Sequence, residues 1–163
     1  MMVTRGVELG CGTGIAVNGP IVVGTDGSAT ATVAVRAATT LAKTFGQPLH
    51  VVCAYQLRSG ADGLALSAGV SPVVMDVSWV ERVLGDAAAE IRLSSVAVFT
   101  HAKAGNAAEA ILDVADEVSA DLIVVGNRRI GAKSRFILGN VPSRVVHHAT
   151  CSTFVVNTTA TQG

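Results

Sequence analysis

A basic segment near the C-terminal end of the chain holds the residues best suited to binding chemistry. Residues 121–144 read DLIVVGNRRIGAKSRFILGNVPSR. The apolar run before Gly126 predicts a buried strand that this glycine ends. Gly139 and Asn140 then begin an amphipathic helix. A strand, a basic loop and a helix start in this order are typical of anion sites, because backbone N–H groups and the positive end of the helix dipole point at one place.

The basic residues of the chain are concentrated around this segment. The whole chain is neutral, with 12 acidic and 12 basic residues, yet no acidic residue follows Asp121. The part after Asp121 therefore carries +5, and the part up to it carries −5. This charge favours a bound anion, although basic loops also occur on surfaces that bind nothing. The cations after Asp121 are Arg128, Arg129, Lys133, Arg135 and Arg144.

A second candidate site is the dipeptide Thr25-Asp26, which ends the apolar run 21–25 and begins a turn. In open parallel sheets, ligands bind at the carboxyl ends of strands, where the strand order reverses. If this strand lies beside the strand that ends at Gly126, Asp26 and the basic loop face one crevice. The carboxylate of Asp26 could then accept a hydrogen bond from adenine or ribose. Alternatively, it bonds the backbone of its own turn.

Apolar runs and helical periodicity alternate along the chain, which predicts an α/β fold. A chain of 163 residues is one domain by length. Strands that alternate with helices form right-handed crossovers, so we expect a doubly wound, three-layer architecture. It should have a five-stranded, mainly parallel sheet with helices on both faces. The predicted strands are 21–25, 49–55, 96–100, 122–125 and 153–156.

The predicted helices follow from capping residues and apolar spacing. Ser28 is the expected N-cap of the first helix, and Gly46 and Pro48 end it. Asn106 and Glu109 resemble a capping box at the start of the third helix. The predicted helices are 28–45, 75–93 with an interruption at Gly85, 106–118, and 140–149.

Composition excludes several classes of protein. The domain proper is expected at 20–158, after a flexible glycine-rich extension (1–19) and before a polar tail (159–163). No apolar run approaches the roughly 18 residues of a membrane-spanning helix, and no continuous apolar segment indicates a signal peptide. The neutral charge argues against nonspecific nucleic-acid binding. We therefore expect no membrane partner and no nucleic-acid partner.

The cysteines indicate a reducing compartment. Cys11, Cys53 and Cys151 lie far apart and match no metal-binding or redox spacing. A cytoplasmic protein with reduced thiols is the expectation. Cys53 lies inside a predicted strand, so we expect it to be buried as a small apolar residue.

The N-terminal extension contains one motif that suggests a different function. Residues 7–14 read VELGCGTG and look like the glycine-rich loop of methyltransferases that bind S-adenosylmethionine. That loop must lead from a strand into a helix, and Asn18-Gly19-Pro20 interrupts the chain too soon for one. We interpret the motif as part of the extension and not as a cofactor site.

Four stretches between Pro20 and Thr158 resemble the universal stress protein family. The resemblance implies a sheet ordered 3-2-1-4-5 and a homodimer through the fifth strand, here residues 153–157. Many members bind ATP and some bind other adenine nucleotides, so an adenine nucleotide, accompanied by Mg²⁺ where it is a triphosphate, is the cofactor implied. The stretches are IVVGTDGS (21–28), PLHVVCAY (48–55), AEAILDVADEVSADLIVVGN (108–127) and GNVPSRVVHHATCSTFVV (139–156).

The nucleotide motif of that family is matched in part. It consists of Gly, two residues, Gly, nine residues, and Gly followed by Ser or Thr, and its outer glycines correspond to Gly126 and Gly139. Arg129 replaces the middle glycine and Asn140 replaces the hydroxyl residue. A side chain at 129 hinders backbone approach to a phosphate but can contact it as a cation, so we expect modest, salt-dependent affinity. The nucleotide-binding residues implied are Thr25, Asp26, Ala54, Gly126, Arg128, Arg129, Gly139, Asn140 and Val141.

Two functions remain open from the sequence. The first is a stress-response protein that binds an adenine nucleotide with little or no hydrolysis, since no Walker loop, metal cluster or Ser-His-Asp set is recognisable. The second is a dimeric interaction or regulatory protein of the same fold that binds no nucleotide. His147 and His148 are adjacent on a predicted helix and point apart, so they are expected at the surface and not as ligands.

Overall fold

The computed structural model describes residues 16–56, 77–127 and 138–158, and within these ranges five strands alternate with four helices. The strands are β1 (Ile21–Gly24), β2 (Leu49–Tyr55), β3 (Val98–Ala104), β4 (Leu122–Asn127) and β5 (Ser152–Asn157). The helices are α1 (Ala29–Phe45), α2 (Val77–Arg92), α3 (Ala107–Glu117) and α4 (Asn140–His148). Most of the expected extension and tail, residues 1–15 and 159–163, lies outside the described residues.

The five strands form one parallel sheet in the order β3-β2-β1-β4-β5. The predicted fold class and strand order are confirmed. Ile21 of β1 pairs with Leu49 of β2 on one side and with Leu122 of β4 on the other. The strand order reverses between β1 and β4, so the helices that follow these two strands lie on opposite faces and leave a crevice at the carboxyl edge.

Helices cover both faces of the sheet, and each face has its own apolar core. Val23 and Val124 are buried against α1 and α2, whereas Val22 and Ile123 are buried against α3 and α4. Successive residues of a strand point to opposite faces. A central strand covered on both sides must therefore be apolar throughout, which explains why β1 and β4 appear in the sequence as continuous apolar runs.

The predicted helix starts are confirmed at two caps. The hydroxyl of Ser28 accepts a hydrogen bond from Ala31 N–H (3.2 Å), and Asn106 Oδ1 accepts one from Ala108 N–H (2.9 Å). The capping box expected at α3 is only half present. The carboxylate of Glu109 forms an ion pair with Arg144 of α4 (3.0 Å) instead of returning to the N-cap.

The third strand does not lie where the sequence predicts it. Residues 96–100 are expected, whereas β3 begins at Val98 and continues to Ala104, pairing with all of β2. Val96 is apolar because it is buried just before the strand. The second half of β3 carries no apolar run because β3 lies at the edge of the sheet, where most of its side chains are exposed.

Other details of the elements also differ from expectation. β1 ends at Gly24, one residue early. β4 continues past Val125 to Asn127, because it pairs with β5 as far as Asn157. α2 passes through Gly85 without interruption, since a single glycine weakens a helix but does not break it. Within the described ranges, no helix combines the length and apolarity needed to cross a bilayer.

Candidate functional site

A cavity of about 270 Å³ lies at the carboxyl edge of the sheet, where β1 and β4 end. The starts of α1, α3 and α4 surround it. Its lining residues come from these helices and from β1, β2 and β4, which the fold brings together. Its lining residues are Gly24, Thr25, Asp26, Ser28, Thr30, Ala31, Val52, Ala54, Ala107, Ile111, Val125, Gly126, Gly139, Asn140, Val141 and Pro142.

One part of the cavity is apolar and shaped by close packing. Val52 of β2 and Val125 of β4 flank β1, and both are buried. Ile111 of α3 lies over Gly24, and its side chain occupies the space that a Cβ on this glycine would need. Gly24 therefore lets α3 approach β1 closely, and the cavity has a smooth aliphatic floor. Ala54 continues this surface toward the open edge.

The turn after β1 forms a hydrogen-bonded polar wall. Asp26 Oδ1 accepts hydrogen bonds from the backbone N–H of Ser28 (3.0 Å) and from its hydroxyl (2.5 Å). Thr25 Oγ1 accepts from Gly27 N–H (3.2 Å), and Gly27 has a φ of 72°, which glycine adopts readily. Thr30 Oγ1 lies 3.0 Å from the Ser28 hydroxyl. Asp26 is thus a turn-forming residue, and the turn holds it rigidly at the rim of the cavity.

The N-terminus of α4 faces the cavity from the opposite side. Gly139 is its N-cap, with a φ of 95°, and among the described residues no side chain caps the helix there. By contrast, the N-termini of α1 and α3 are capped by Ser28 and Asn106. The first N–H groups of an α-helix need an outside partner. At α4, no described side chain supplies that partner, an arrangement that suits a bound anion.

Gly126 at the end of β4 completes this side of the cavity. A Cβ placed on Gly126 would lie 3.0 Å from Thr158 Cγ2 and 3.4 Å from Ala34 Cβ. A side chain at 126 would press on Thr158, so the packing at this position favours glycine. Gly126 itself lines the cavity.

The charges around the cavity differ from the simple picture of a basic site. Asp26 is the charged residue among the lining residues that the structure describes, and its charge is negative. Arg144, one of the cations of the C-terminal segment, pairs with Glu109 at 3.0 Å, and both side chains are largely exposed. The expected contribution of Arg128 and Arg129 lies outside the described residues. In the described part, attraction for an anion comes from the backbone of α4.

The structure gathers most of the sequence-predicted residues into this one cavity. They are Thr25, Asp26, Ala54, Gly126, Gly139, Asn140 and Val141. Sequence reasoning missed the lining residues Ser28, Thr30, Val52 and Ile111. Val52 could have been predicted from the sequence, because it points to the same face as Ala54 two residues later. Nothing in the local sequence indicates that Ile111 lies over Gly24, because α3 and β1 are distant in the chain.

The histidines and acidic residues do not form a metal centre in the described part of the chain. No group of three or more His, Cys, Asp or Glu side chains is placed there to hold a metal ion. His147 and His148 lie exposed on α4, away from the cavity lining.

Comparison with known proteins agrees with this architecture. The sequence pattern of the universal stress protein family matches residues 18–157, which is most of the chain. The chain belongs to the universal stress protein family. A universal stress protein of Synechocystis is 38% identical over 77 residues, which are 47% of this chain and 49% of that protein. The chain thus spans about half the length of this curated relative.

Solved structures of universal stress proteins have the same fold. One, determined in complex with cAMP, has a TM-score of 0.69 and 26% identity, with 88% of this chain and 99% of that chain aligned. Another, from Archaeoglobus fulgidus in complex with dAMP, has a TM-score of 0.63 and 25% identity, with 86% of this chain and 99% of that chain aligned.

Proposed function

We propose that this universal stress protein binds an adenine nucleotide in the cavity between β1 and β4. The observation that carries the proposal is the pairing of an aliphatic chamber with an uncapped helix N-terminus across one small cavity. A nucleotide needs both surfaces, since its base is flat and largely apolar and its phosphate is an anion. Small-molecule sites generally combine apolar walls with a few fixed polar groups in this way.

The base would lie in the apolar part of the cavity. Val52, Ala54, Ile111 and Val125 supply aliphatic contacts from three elements. The ribose would then lie near Asp26, whose Oδ1 is held by Ser28. A carboxylate oxygen can accept a hydrogen bond from a ribose hydroxyl.

The phosphates would lie between Gly126 and the start of α4. Backbone N–H groups of α4 at Asn140 and Val141 are suited to phosphate oxygens. Arg128 and Arg129, proposed from sequence, would add charge on the same side. Mg²⁺ that accompanies a triphosphate would be coordinated mainly by phosphate oxygens and water, with at most one or two carboxylates from the protein.

The known relatives support the chemical class of ligand. The two structural neighbours described above were determined with cAMP and dAMP, both adenine nucleotides. We infer binding with little or no hydrolysis for this chain, because Asp26 is the one acidic residue among the described lining residues and its Oδ1 serves the turn. A strong general base would need to be available to activate water. The family and the unpaired Cys53 and Cys151 favour a reducing, cytoplasmic setting.

One observation favours the alternative of a dimeric interaction protein without nucleotide. The family motif has glycine where this chain has Arg129, and a hydroxyl residue where it has Asn140. The family motif uses both positions for the phosphates. These changes should lower affinity for phosphate more than affinity for the base.

Titration calorimetry with ATP, ADP, AMP, cAMP and adenosine tests the proposal. Ala54→Phe would fill the aliphatic chamber, whereas Ala102→Phe places the same ring at an exposed position of the neighbouring strand β3. We expect wild type and Ala102→Phe to bind with micromolar or weaker affinity, and Ala54→Phe to bind none of the five ligands. Higher salt should weaken ATP and leave adenosine unchanged. Absence of binding in the wild type, or unchanged binding in Ala54→Phe, would favour the interaction protein.

A further inference from the structure

The residue that follows β5 is tied to the residue that ends β4. Thr158 is only 6% exposed, whereas Asn157 beside it is exposed. A buried polar side chain normally has hydrogen-bond partners. The burial of Thr158 therefore calls for a specific set of partners.

Both hydrogen-bond donors of Thr158 bind the same residue. Its backbone N–H donates to Asn127 Oδ1 (3.0 Å), and its hydroxyl donates to the backbone carbonyl of Asn127 (2.6 Å). Asn127 is paired in register with Asn157, so Thr158 closes a hydrogen-bonded clasp just beyond the last β4–β5 pair. The clasp fixes both the side chain and the carbonyl of Asn127.

The methyl group of Thr158 acts on the next residue back along β4. Thr158 Cγ2 lies 3.0 Å from the place a Cβ on Gly126 would occupy. Ala34 Cβ lies at 3.4 Å and the carbonyl oxygen of Thr30 at 3.6 Å, both from α1. Gly126 is thus held in a slot between Thr158 and the first turns of α1. Because Gly126 lines the cavity, the position of that wall depends on Thr158.

We propose that Thr158 is a positioning residue for the phosphate side of the nucleotide site. It holds Gly126 and Asn127 so that the backbone of Gly126 faces the uncapped start of α4 at a fixed separation. The base lies on Val52, Ala54 and Ile111, which the clasp does not touch. Loss of the clasp should therefore lower the affinity more for ligands with more phosphates. The affinity for the nucleoside should not change. This inference rests on the proposed nucleotide function.

The hydroxyl can be removed without changing the shape of the side chain. Thr158→Val keeps the methyl contact with Gly126 and loses the bond to the Asn127 carbonyl, whereas Thr158→Ser keeps that bond. One hydrogen bond to a buried group corresponds to roughly a fivefold to tenfold change in an equilibrium constant. We expect Thr158→Val to bind ATP about fivefold or more weakly than wild type and adenosine within about twofold. Thr158→Ser keeps the bond to the Asn127 carbonyl and loses only the methyl contact, so it should bind ATP more tightly than Thr158→Val.

Calorimetric titration of ATP and adenosine into wild type and both variants decides the question, with thermal unfolding to confirm that all three are folded. A merely structural clasp would weaken ATP and adenosine equally or leave both unchanged, and either result overturns the positioning role while the nucleotide function stands. A wild type that binds neither ligand overturns the nucleotide function, and the positioning role with it.

Discussion

The side chain of Ile111 occupies the space that a Cβ on Gly24 would need. Ile111 is buried in α3, and Gly24 is the last residue of β1. Their contact brings α3 onto the end of the central strand and forms the floor of the candidate site. The absence of a side chain at 24 therefore serves both the packing of the helix and the shape of the cavity.

Gly24→Ala should destabilise the protein. The added methyl group collides with a buried side chain that is itself packed against the core, so Ile111 must move or change rotamer. Overpacking of this kind costs about 1–3 kcal/mol of the free energy of unfolding. Urea denaturation measures the change directly. We also expect a smaller cavity and weaker nucleotide binding in this variant.

Gly85→Ala is the matched control for Gly24→Ala. Gly85 lies inside α2, and a Cβ placed there meets nothing within 4 Å. Alanine is favoured over glycine in a helix interior, so this variant should gain about 0.5–1 kcal/mol of unfolding free energy. If both alanine variants are equally stabilised, Ile111 can retreat without cost and the packing argument is wrong.

A pair of histidines makes stability depend on pH. His50 of β2 is 8% exposed, and its Nδ1 lies 2.9 Å from Nε2 of His101 on β3. Burial, and then the nearby charge of His101, lower the pKa of His50. Burial, and then the charge of Lys103, lower the pKa of His101, while Glu117 opposes this shift. Protonation of either imidazole is therefore less favourable in the folded chain than in the unfolded chain.

These lowered pKa values fix the sign of the pH dependence. The unfolded chain, with histidine near its usual pKa of 6.5, binds protons more readily than the folded chain. The free energy of unfolding should be greatest above about pH 6.5 and fall as the pH falls below it. His101→Gln removes one of the two groups and should flatten the curve between about pH 5 and 7. Denaturant titrations at several pH values would contradict the argument if wild type and variant have parallel curves.

The parts of the fold that the sequence predicts are those with local causes. β1 and β4 are buried on both faces, so their apolar runs stand out, and Ser28 and Asn106 cap their helices through neighbours a few residues away. The second half of β3 is exposed and polar, and only its ladder with β2 makes it a strand. Thr158 has no local signal either, because its partner Asn127 belongs to another strand.

The candidate site likewise combines residues that can be predicted from local sequence with residues that only the fold brings together. Gly126 and Gly139 are recognisable because a binding loop needs glycine at fixed spacing, and the resemblance to a known family supplies that spacing. The contact of Ile111 with Gly24 depends on how α3 crosses β1, which is a consequence of the whole fold. Its role in the cavity could be seen only in three dimensions.

The two described cysteines should differ strongly in reactivity. Burial, and then the nearby charge of Asp26, raise the pKa of the Cys53 thiol to about 11, and this residue is 1% exposed. Cys151 is partly exposed, and burial also raises its pKa. The thiolate is the reactive form. In a Cys11→Ser background, an aromatic disulfide reagent should therefore label Cys151 first and Cys53 only on unfolding.

Cys151→Ser provides the control for the thiol experiment, since it should remove the fast phase and leave the slow one. The two thiols belong to cores on opposite faces of the sheet, so they cannot form a disulfide with each other in the native fold. An intramolecular disulfide between them in native protein would contradict this packing and the proposed reducing setting.

We finally expect a homodimer through the free edge of β5. This strand ends the sheet, and Phe154 in its middle is 46% exposed. An apolar edge strand invites pairing with another edge, and two copies related by a twofold axis would cover both at once. Phe154→Lys should therefore give a monomer at micromolar concentration. Phe99→Lys is the matched control, because Phe99 is 52% exposed on β3 at the opposite edge. Light scattering should find a dimer for wild type and for Phe99→Lys. A monomeric wild type would contradict the predicted homodimer. If Phe99→Lys gives a monomer and Phe154→Lys remains a dimer, the interface lies at β3 and not at β5.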